Sequence, residues 1–138
     1  MPAIRRQVHI ACPPRAVWRA ITTAEGLEKW LADEARVDGR MGGRVVLSGT
    51  DFDQEQDAVG IVHTWRPTAK FEIALDSIGS FEGKGGHIAF QVARDGDETR
   101  VSVVHSGGEA LDDEERREKL DVAWKTAFET LQALLDDS

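Results

Sequence analysis

The spacing of apolar residues returns to a long helical period near the end of the chain, and this change constrains the fold more than any other feature. Before residue 107, apolar residues recur mostly at every second position in short runs, which is typical of strands with one buried face. From Asp112 onward they recur at helical spacing, after an acidic first turn that suits the helix dipole. The helical stripe comprises Leu120, Trp124, Ala127, Phe128, Leu131, Leu134 and Leu135. The sequence therefore predicts an antiparallel sheet followed by one helix of about 24 residues.

Two short helices are predicted directly after the first strand. Pro13 and Pro14 suit the first turn of a helix, because the amide hydrogen that proline lacks has no partner there. Thr22 followed by Glu25 has the spacing of a capping box and predicts the start of a second short helix. The residues expected on one face of this second helix are Leu27, Trp30 and Leu31.

The later strands are predicted from four runs that alternate clearly between apolar and polar residues. Their inward-facing residues are expected to be Val59, Ile61, His63 and Trp65; then Phe71, Ile73 and Leu75; then Ile88, Phe90 and Val92; and finally Val101, Val103 and His105. The predicted fold class is α+β, with six to seven antiparallel strands curving around the long C-terminal helix in one domain over residues 1–138. Such a sheet leaves space beneath the helix, and ligands occupy such spaces.

Composition and charge exclude several classes of partner. The net charge of −8 disfavours nucleic acid, whose phosphates bind lysine and arginine. No run approaches the roughly 20 apolar residues of a membrane span, and residues 1–10 lack the pattern of a signal peptide. Cys12 is the only cysteine and cannot form an internal disulfide. These features predict a cytoplasmic protein without membrane insertion.

Several segments resemble one known superfamily. They are residues 13–22 (PPRAVWRAIT) with Leu27 and Trp30, residues 37–44, residues 99–107 (TRVSVVHSG), and the closing helix with Trp124. Together they resemble the START-related (SRPBCC) superfamily, and most of all its branch of activator of heat-shock-protein-ninety ATPase homologues, also labelled polyketide cyclase-like. The resemblance implies a helix-grip fold with a hydrophobic cavity. It also implies a range of functions, since members carry lipids, catalyse cyclisations or assist chaperones.

His105 is the candidate catalytic residue, because a titratable side chain on an apolar face can act as a general acid or base toward a bound ligand. The alternative is a packed histidine whose ring bonds a backbone carbonyl or the long helix. Trp30 and Trp65 are candidates for contacting a ring-shaped ligand, with packing as their alternative. The complete predicted ligand-binding set is Trp30, His63, Trp65, Phe71, Ile73, Phe90, Val101, Val103, His105, Trp124 and Phe128.

No metal and no cofactor are predicted. No pair of histidines or carboxylates has the local spacing of a zinc or iron site, and Cys12 stands alone. His9 and His87 fall on predicted outer faces and receive no role. The chain contains no tyrosine, which cyclase-like relatives often use to polarise a carbonyl.

Three functions remain open. The leading hypothesis is binding of a hydrophobic or aromatic small molecule, either a lipid or a metabolite, in an internal cavity. The second is an acid–base enzyme of the cyclase or dehydratase type that uses His105. The third is a co-chaperone-like protein interaction, in which acidic residues of the last helix dock a basic partner or simply face solvent. Those residues are Asp113, Glu114, Glu118 and Asp121. Both a monomer and a homodimer fit the sequence.

Overall fold

The computed structural model describes residues 3–50, 57–77, 86–107 and 109–136. Within these residues the elements follow in the order β1 (Ala3–Ile10), α1 (Pro14–Thr22), α2 (Ala24–Leu27), β2 (Glu34–Val37), β3 (Arg44–Ser48), β4 (Ala58–Arg66), β5 (Lys70–Ser77), β6 (Gly86–Asp95), β7 (Glu98–Ser106), a 3₁₀ helix (Glu109–Asp112) and α3 (Glu114–Leu135). No helix in the described part of the chain is both long and apolar enough to cross a membrane.

The seven strands form one antiparallel sheet in the order β1-β7-β6-β5-β4-β3-β2. β1 pairs with β7 over its whole length, so the beginning of the chain lies beside the strand that precedes the last helix. α3 packs against β1, and α1 packs against β6 and β7. This is the helix-grip α+β fold that the sequence predicts.

The long helix α3 begins at Glu114, two residues after the predicted start. Asp113 caps it, because its side chain accepts a hydrogen bond from the backbone N–H of Arg116 at 3.2 Å. The helix runs for 22 residues. Its apolar stripe is buried as predicted up to Leu131, whereas Leu134 is 40% exposed. In the last turn, Leu135 is partly buried and packs against the core.

The second helix, α2, is shorter than predicted and is capped one residue later. The side chain of Thr23 accepts the hydrogen bond from the N–H of Gly26 at 3.0 Å. The hydroxyl of Thr22 instead donates to the carbonyl of Trp18 in the preceding helix, at 2.6 Å. α2 ends at Leu27, so Trp30 lies in the turns that follow it.

β4 contains a bulge, and the bulge reverses the face of its side chains. Val62 pairs with Ile73 and Thr64 pairs with Glu72, which leaves His63 as an extra residue between the two pairs. His63 and Thr64 therefore both lie on the outer face of the sheet.

The prediction that Val59, Ile61 and His63 face inward is wrong for this reason. Before the bulge, the buried residues of β4 are the even-numbered ones, and Ile61 is 47% exposed. After the bulge, Trp65 returns to the inner face and contacts Phe71. Alternation in the sequence continues unbroken across residues 59–65, so it gives no indication of the change of face.

Candidate ligand-binding site

The sheet and α3 enclose a cluster of five aromatic residues, which we call the aromatic cluster: Trp30, Phe71, Phe90, Trp124 and Phe128. Each of them is at most 7% exposed. Their ring centroids lie 5.7–6.2 Å apart in successive pairs, mostly in edge-to-face contacts, with Phe71 stacked on Phe90. Such pairs stabilise a core beyond the area that they bury.

The register of the sheet explains why the predicted inner-face residues meet. Phe71 pairs with Phe90, and Phe90 pairs with Val103, which forms one row across three strands. A second row runs through Ile73, Ile88 and His105. Because side chains of paired residues lie on the same face, both rows point toward α3.

In the second row His105 lies between Ile88 of β6 and Ile4 of β1, and it is completely buried. The indole Nε1–H of Trp124 donates a hydrogen bond to Nδ1 of His105 at 3.2 Å. An indole nitrogen can only donate, so Nδ1 accepts and the proton of the neutral ring lies on Nε2. The nitrogen that would take a proton from a ligand is therefore engaged with the long helix.

Trp30 is held in place by its own hydrogen bond. Its Nε1–H donates to the backbone carbonyl of Ala20, at the end of α1, at 2.9 Å. The ring packs on Phe90 and Phe128. Trp30 therefore connects the α1–α2 segment to the aromatic cluster.

A surface groove opens between α1 and the ends of β2 and β4. It has a volume of about 520 Å³ and is lined by Arg15, Trp18, Arg19, Thr22, Thr23, Ala24, Val37, Gly39 and Trp65. We call it the Trp18–Trp65 groove, because these two half-buried rings lie 5.3 Å apart within it. A Cβ at Gly39 would lie 3.0 Å from the ring of Trp65, so the glycine makes room for that ring.

The groove and the aromatic cluster are in contact. The ring centroids of Trp65 and Trp18 lie 5.6 Å and 6.4 Å from that of Phe71. Phe71 is fully buried and stacks on Phe90, which contacts Trp124. A continuous set of aromatic rings therefore connects the solvent-open groove to the ring of His105.

Residues 11–136 match the family model described as activator of Hsp90 ATPase homolog 1-like protein. The chain belongs to this family. The resemblance found in the sequence is thereby confirmed. No curated protein significantly matches this AHSA1-like chain.

Solved structures with the same fold include three of nearly the same length or somewhat longer. The Aha1 dimer of Colwellia psychrerythraea has 19% identity and a TM-score of 0.80, with 99% of this chain and 97% of that chain covered. Protein MLL2253 of Mesorhizobium loti has 21% identity and a TM-score of 0.83, with coverage of 99% and 98%. CalU16 of Micromonospora echinospora has 20% identity and a TM-score of 0.76, with coverage of 96% and 75%. At these identities the similarity shows the fold alone.

The structure brings most of the predicted ligand-binding residues together on the inner side of the sheet, and His63 is the exception. The side chain of His63 is 57% exposed on the outer face, where it contacts Glu72. Its assignment to the inner site is therefore wrong, and the bulge in β4 is the cause. Trp18 is absent from the predicted ligand-binding set, although it lines the groove together with Trp65.

The acidic residues proposed for protein docking are partly used within the chain. Asp121 accepts two hydrogen bonds from the guanidinium of Arg6, at 2.9 and 2.8 Å, and so fastens α3 to β1. Asp113 caps the helix. Glu114 and Glu118 remain exposed. The predicted docking surface thus contains two residues with structural roles.

Cys12 has the environment of a packed thiol. Its side chain is buried, and burial, followed by the charge of Asp136, raises the pKa of the thiol above its ordinary value. The thiolate is the nucleophilic form, so a raised pKa disfavours a role in covalent catalysis.

Proposed function

We propose that this AHSA1-like chain binds a hydrophobic or aromatic small molecule, such as a lipid or an aromatic metabolite, through the Trp18–Trp65 groove. The observation that carries the proposal is the contact between this groove and the buried aromatic cluster. Trp65 is half-buried in the groove and makes an edge-to-face contact with the fully buried Phe71. A ligand in the groove therefore contacts a ring that packs directly on the buried aromatic cluster.

The groove has the chemistry of a binding site for a flat apolar ligand. Two adjacent indoles supply a large rigid apolar surface, and concave sites of this kind bind ligands with a few polar groups at the edge. Arg15 and Arg19 are exposed at that edge. Their guanidinium groups favour a ligand that carries a carboxylate or another anionic group.

Binding deeper than the groove requires the aromatic cluster to rearrange. The cluster's side chains contact one another, so a ring can enter among them only if at least one of them moves. Trp18 and Trp65 lie outside the cluster, half-buried, and both rings contact its member Phe71. We therefore place the first contact of the ligand on Trp18 and Trp65.

Acid–base catalysis is the less favoured alternative. His105 contacts the aromatic cluster through Trp124, yet its Nδ1 accepts the hydrogen bond of Trp124 and the ring is fully buried. A ligand in the groove is separated from it by Phe71 and Phe90. We therefore favour binding over catalysis.

We also propose that the protein acts in the cytoplasm, because Cys12 is its one cysteine and a chain without an internal disulfide suits a reducing compartment.

The test compares Trp65→Ala with Ile61→Ala, which removes an exposed apolar side chain from the outer face of the same strand. The probe is the aromatic anion 8-anilino-1-naphthalenesulfonate, titrated by fluorescence against folded protein. Trp65→Ala is expected to weaken binding tenfold or more, about 1.4 kcal/mol, because aromatic anchors dominate such sites. Ile61→Ala is expected to leave the affinity unchanged.

Native mass spectrometry of freshly purified protein provides a second measurement, and a copurified small molecule is expected on the wild-type chain. The proposal fails if only the bare chain is seen and if the Trp65→Ala and wild-type proteins bind the probe equally.

A further inference from the structure

Two histidines and one carboxylate meet on the outer face of the sheet, away from the proposed binding site. Nδ1 of His63 lies 3.1 Å from Oε1 of Glu72, and Nδ1 of His87 lies 3.4 Å from Oε2 of the same carboxylate. One possible ligand atom from each residue lies within 4.8 Å of the other two. Among the described residues, this is the one such group of three or more.

Three neighbouring strands supply the three side chains. Glu72 lies on β5, where it pairs with Thr64 of β4 and with Ala89 of β6. His87 lies two residues before Ala89 and is therefore diagonal to Glu72 on the same face. The bulge in β4 brings His63 to that face as well. Without the bulge, His63 and Thr64 would lie on opposite faces of the strand.

The distances fit the coordination of a small divalent ion. Zinc binds histidine nitrogen and carboxylate oxygen at about 2.0–2.2 Å, so two ligands of a tetrahedral site lie about 3.3 Å apart. The two nitrogen–oxygen distances, 3.1 and 3.4 Å, are close to this value. The ring centroids of the two histidines lie 5.4 Å apart, so small rotations of two exposed side chains complete the approach.

The donor set and its surroundings select the class of ion. Two imidazoles and one carboxylate favour zinc and its neighbours among the transition metals, whereas calcium and magnesium prefer oxygen ligands. The hydroxyl of Thr64 donates to Oε1 of Glu72 at 3.0 Å and orients the carboxylate. The histidine side chains are 57% and 44% exposed, which leaves coordination positions open to water.

The carboxylate is ready to bind in its charged form. Burial raises the pKa of Glu72, but hydrogen bonds from Thr64, His63 and His87 and the charge of Lys70 more than offset this effect, and the pKa lies below its ordinary value.

We propose that His63, Glu72 and His87 form a binding site for one divalent transition-metal ion of the zinc type, which joins β4, β5 and β6. The alternative is that no metal binds and that each histidine simply forms a hydrogen bond with the carboxylate of Glu72. His9 and Asp95 form such a pair elsewhere on the surface, at 2.9 Å. Because the His9–Asp95 pair includes only one histidine, it is the control for a histidine–carboxylate contact that does not bind a metal.

The test is isothermal titration of untagged, metal-free protein with zinc chloride. Wild-type protein is expected to bind one zinc ion. His63→Ala, His87→Ala and Glu72→Gln are each expected to weaken the affinity about tenfold or more, whereas His9→Ala leaves it unchanged. Circular dichroism of each variant in the presence of a chelator checks that the fold is retained.

Nitrogen-15 signals of the histidine rings give a readout that does not depend on any variant. On addition of one equivalent of zinc, the imidazole signals of His63 and His87 are expected to shift, and that of His9 is not. Equal shifts at all three residues, or a stoichiometry and affinity that His63→Ala and His87→Ala leave unaltered, overturn the proposal. Failure of zinc to bind at all overturns it too, and leaves the ligand-binding proposal for the groove untouched.

Discussion

His105 joins the sheet to the long helix through the hydrogen bond that it accepts from Trp124. Both side chains are completely buried, and Trp124 also contacts Phe90 and Phe128. A buried hydrogen bond makes a modest net contribution to the free energy of unfolding. Removing one partner costs more, because the remaining polar group stays buried away from water. At the scale of single residues, this geometry assigns His105 a part in holding α3 on the sheet.

A double-mutant cycle tests this role. His105→Ala removes a large buried side chain and is expected to lower the free energy of unfolding by about 2–4 kcal/mol. Trp124→Phe retains an aromatic ring but removes the donor, and a loss of about 1–3 kcal/mol is expected. The coupling energy between the two changes should be about 0.5–1.5 kcal/mol in urea unfolding experiments.

The exposed His9, paired with Asp95, provides the control, and His9→Ala is expected to change stability by less than about 1 kcal/mol. A coupling energy of zero between the changes at His105 and Trp124 would contradict the structural role.

At the scale of elements, β4 is the strand on which both proposed sites depend. Its bulge directs Trp65 into the groove and His63 and Thr64 toward Glu72 on the other face. The strand can approach β5 this closely because residue 60 is a glycine. A Cβ at Gly60 would lie 2.3 Å from the carbonyl oxygen of Ala74, which is backbone and cannot rotate away.

Gly60→Ala is therefore expected to destabilise the protein by about 2 kcal/mol or more, because the pairing of β4 and β5 must shift. Gly96→Ala is the comparison. Gly96 has φ of +63° but no neighbouring atom within 4 Å of an added Cβ, so the cost there is limited to backbone strain of about 1 kcal/mol. Urea unfolding of both variants measures the difference. If both variants lost the same free energy of unfolding, the strand pairing would accommodate a Cβ at residue 60, and the prediction would be wrong.

At the scale of the whole molecule, the fold closes through contacts between the two ends of the chain. β1 pairs with β7, and Arg6 of β1 bonds Asp121 of α3. The interior between sheet and helix is occupied by the aromatic cluster. A ligand bound in the Trp18–Trp65 groove contacts residues of α1, β2 and β4, which only the folded chain brings together.

Ligand binding is consequently expected to stabilise the whole fold. At 100 times its dissociation constant, a ligand that binds only the folded state adds about 2.7 kcal/mol. For a domain of this size, that gain raises the melting temperature by about 8 °C. Differential scanning calorimetry with 8-anilino-1-naphthalenesulfonate measures the shift. The Trp65→Ala variant should show a smaller shift at the same probe concentration, and an unchanged melting temperature in the wild-type protein would contradict the prediction.

The prediction of the fold succeeded where each residue's environment follows from its neighbours in sequence. The stripe of α3 and the alternation of β5, β6 and β7 depend on local periodicity, and the structure buries the residues that these patterns select, except Leu134 and Leu135 at the end of α3. The capping of α2 at Thr23 instead of Thr22 is a shift of one residue, because two adjacent threonines present the same cap chemistry.

The sequence by itself determined the α+β fold, the family and the aromatic residues of the interior, since hydrophobic periodicity and recognisable segments encode them. Only the tertiary structure decided the face on which β4 presents its side chains, because a bulge depends on the register with β5 and leaves the apolar pattern unchanged. Only the tertiary structure also shows that His63, Glu72 and His87 lie close together on one face of the sheet. These residues are far apart in sequence and come together only when three strands pair.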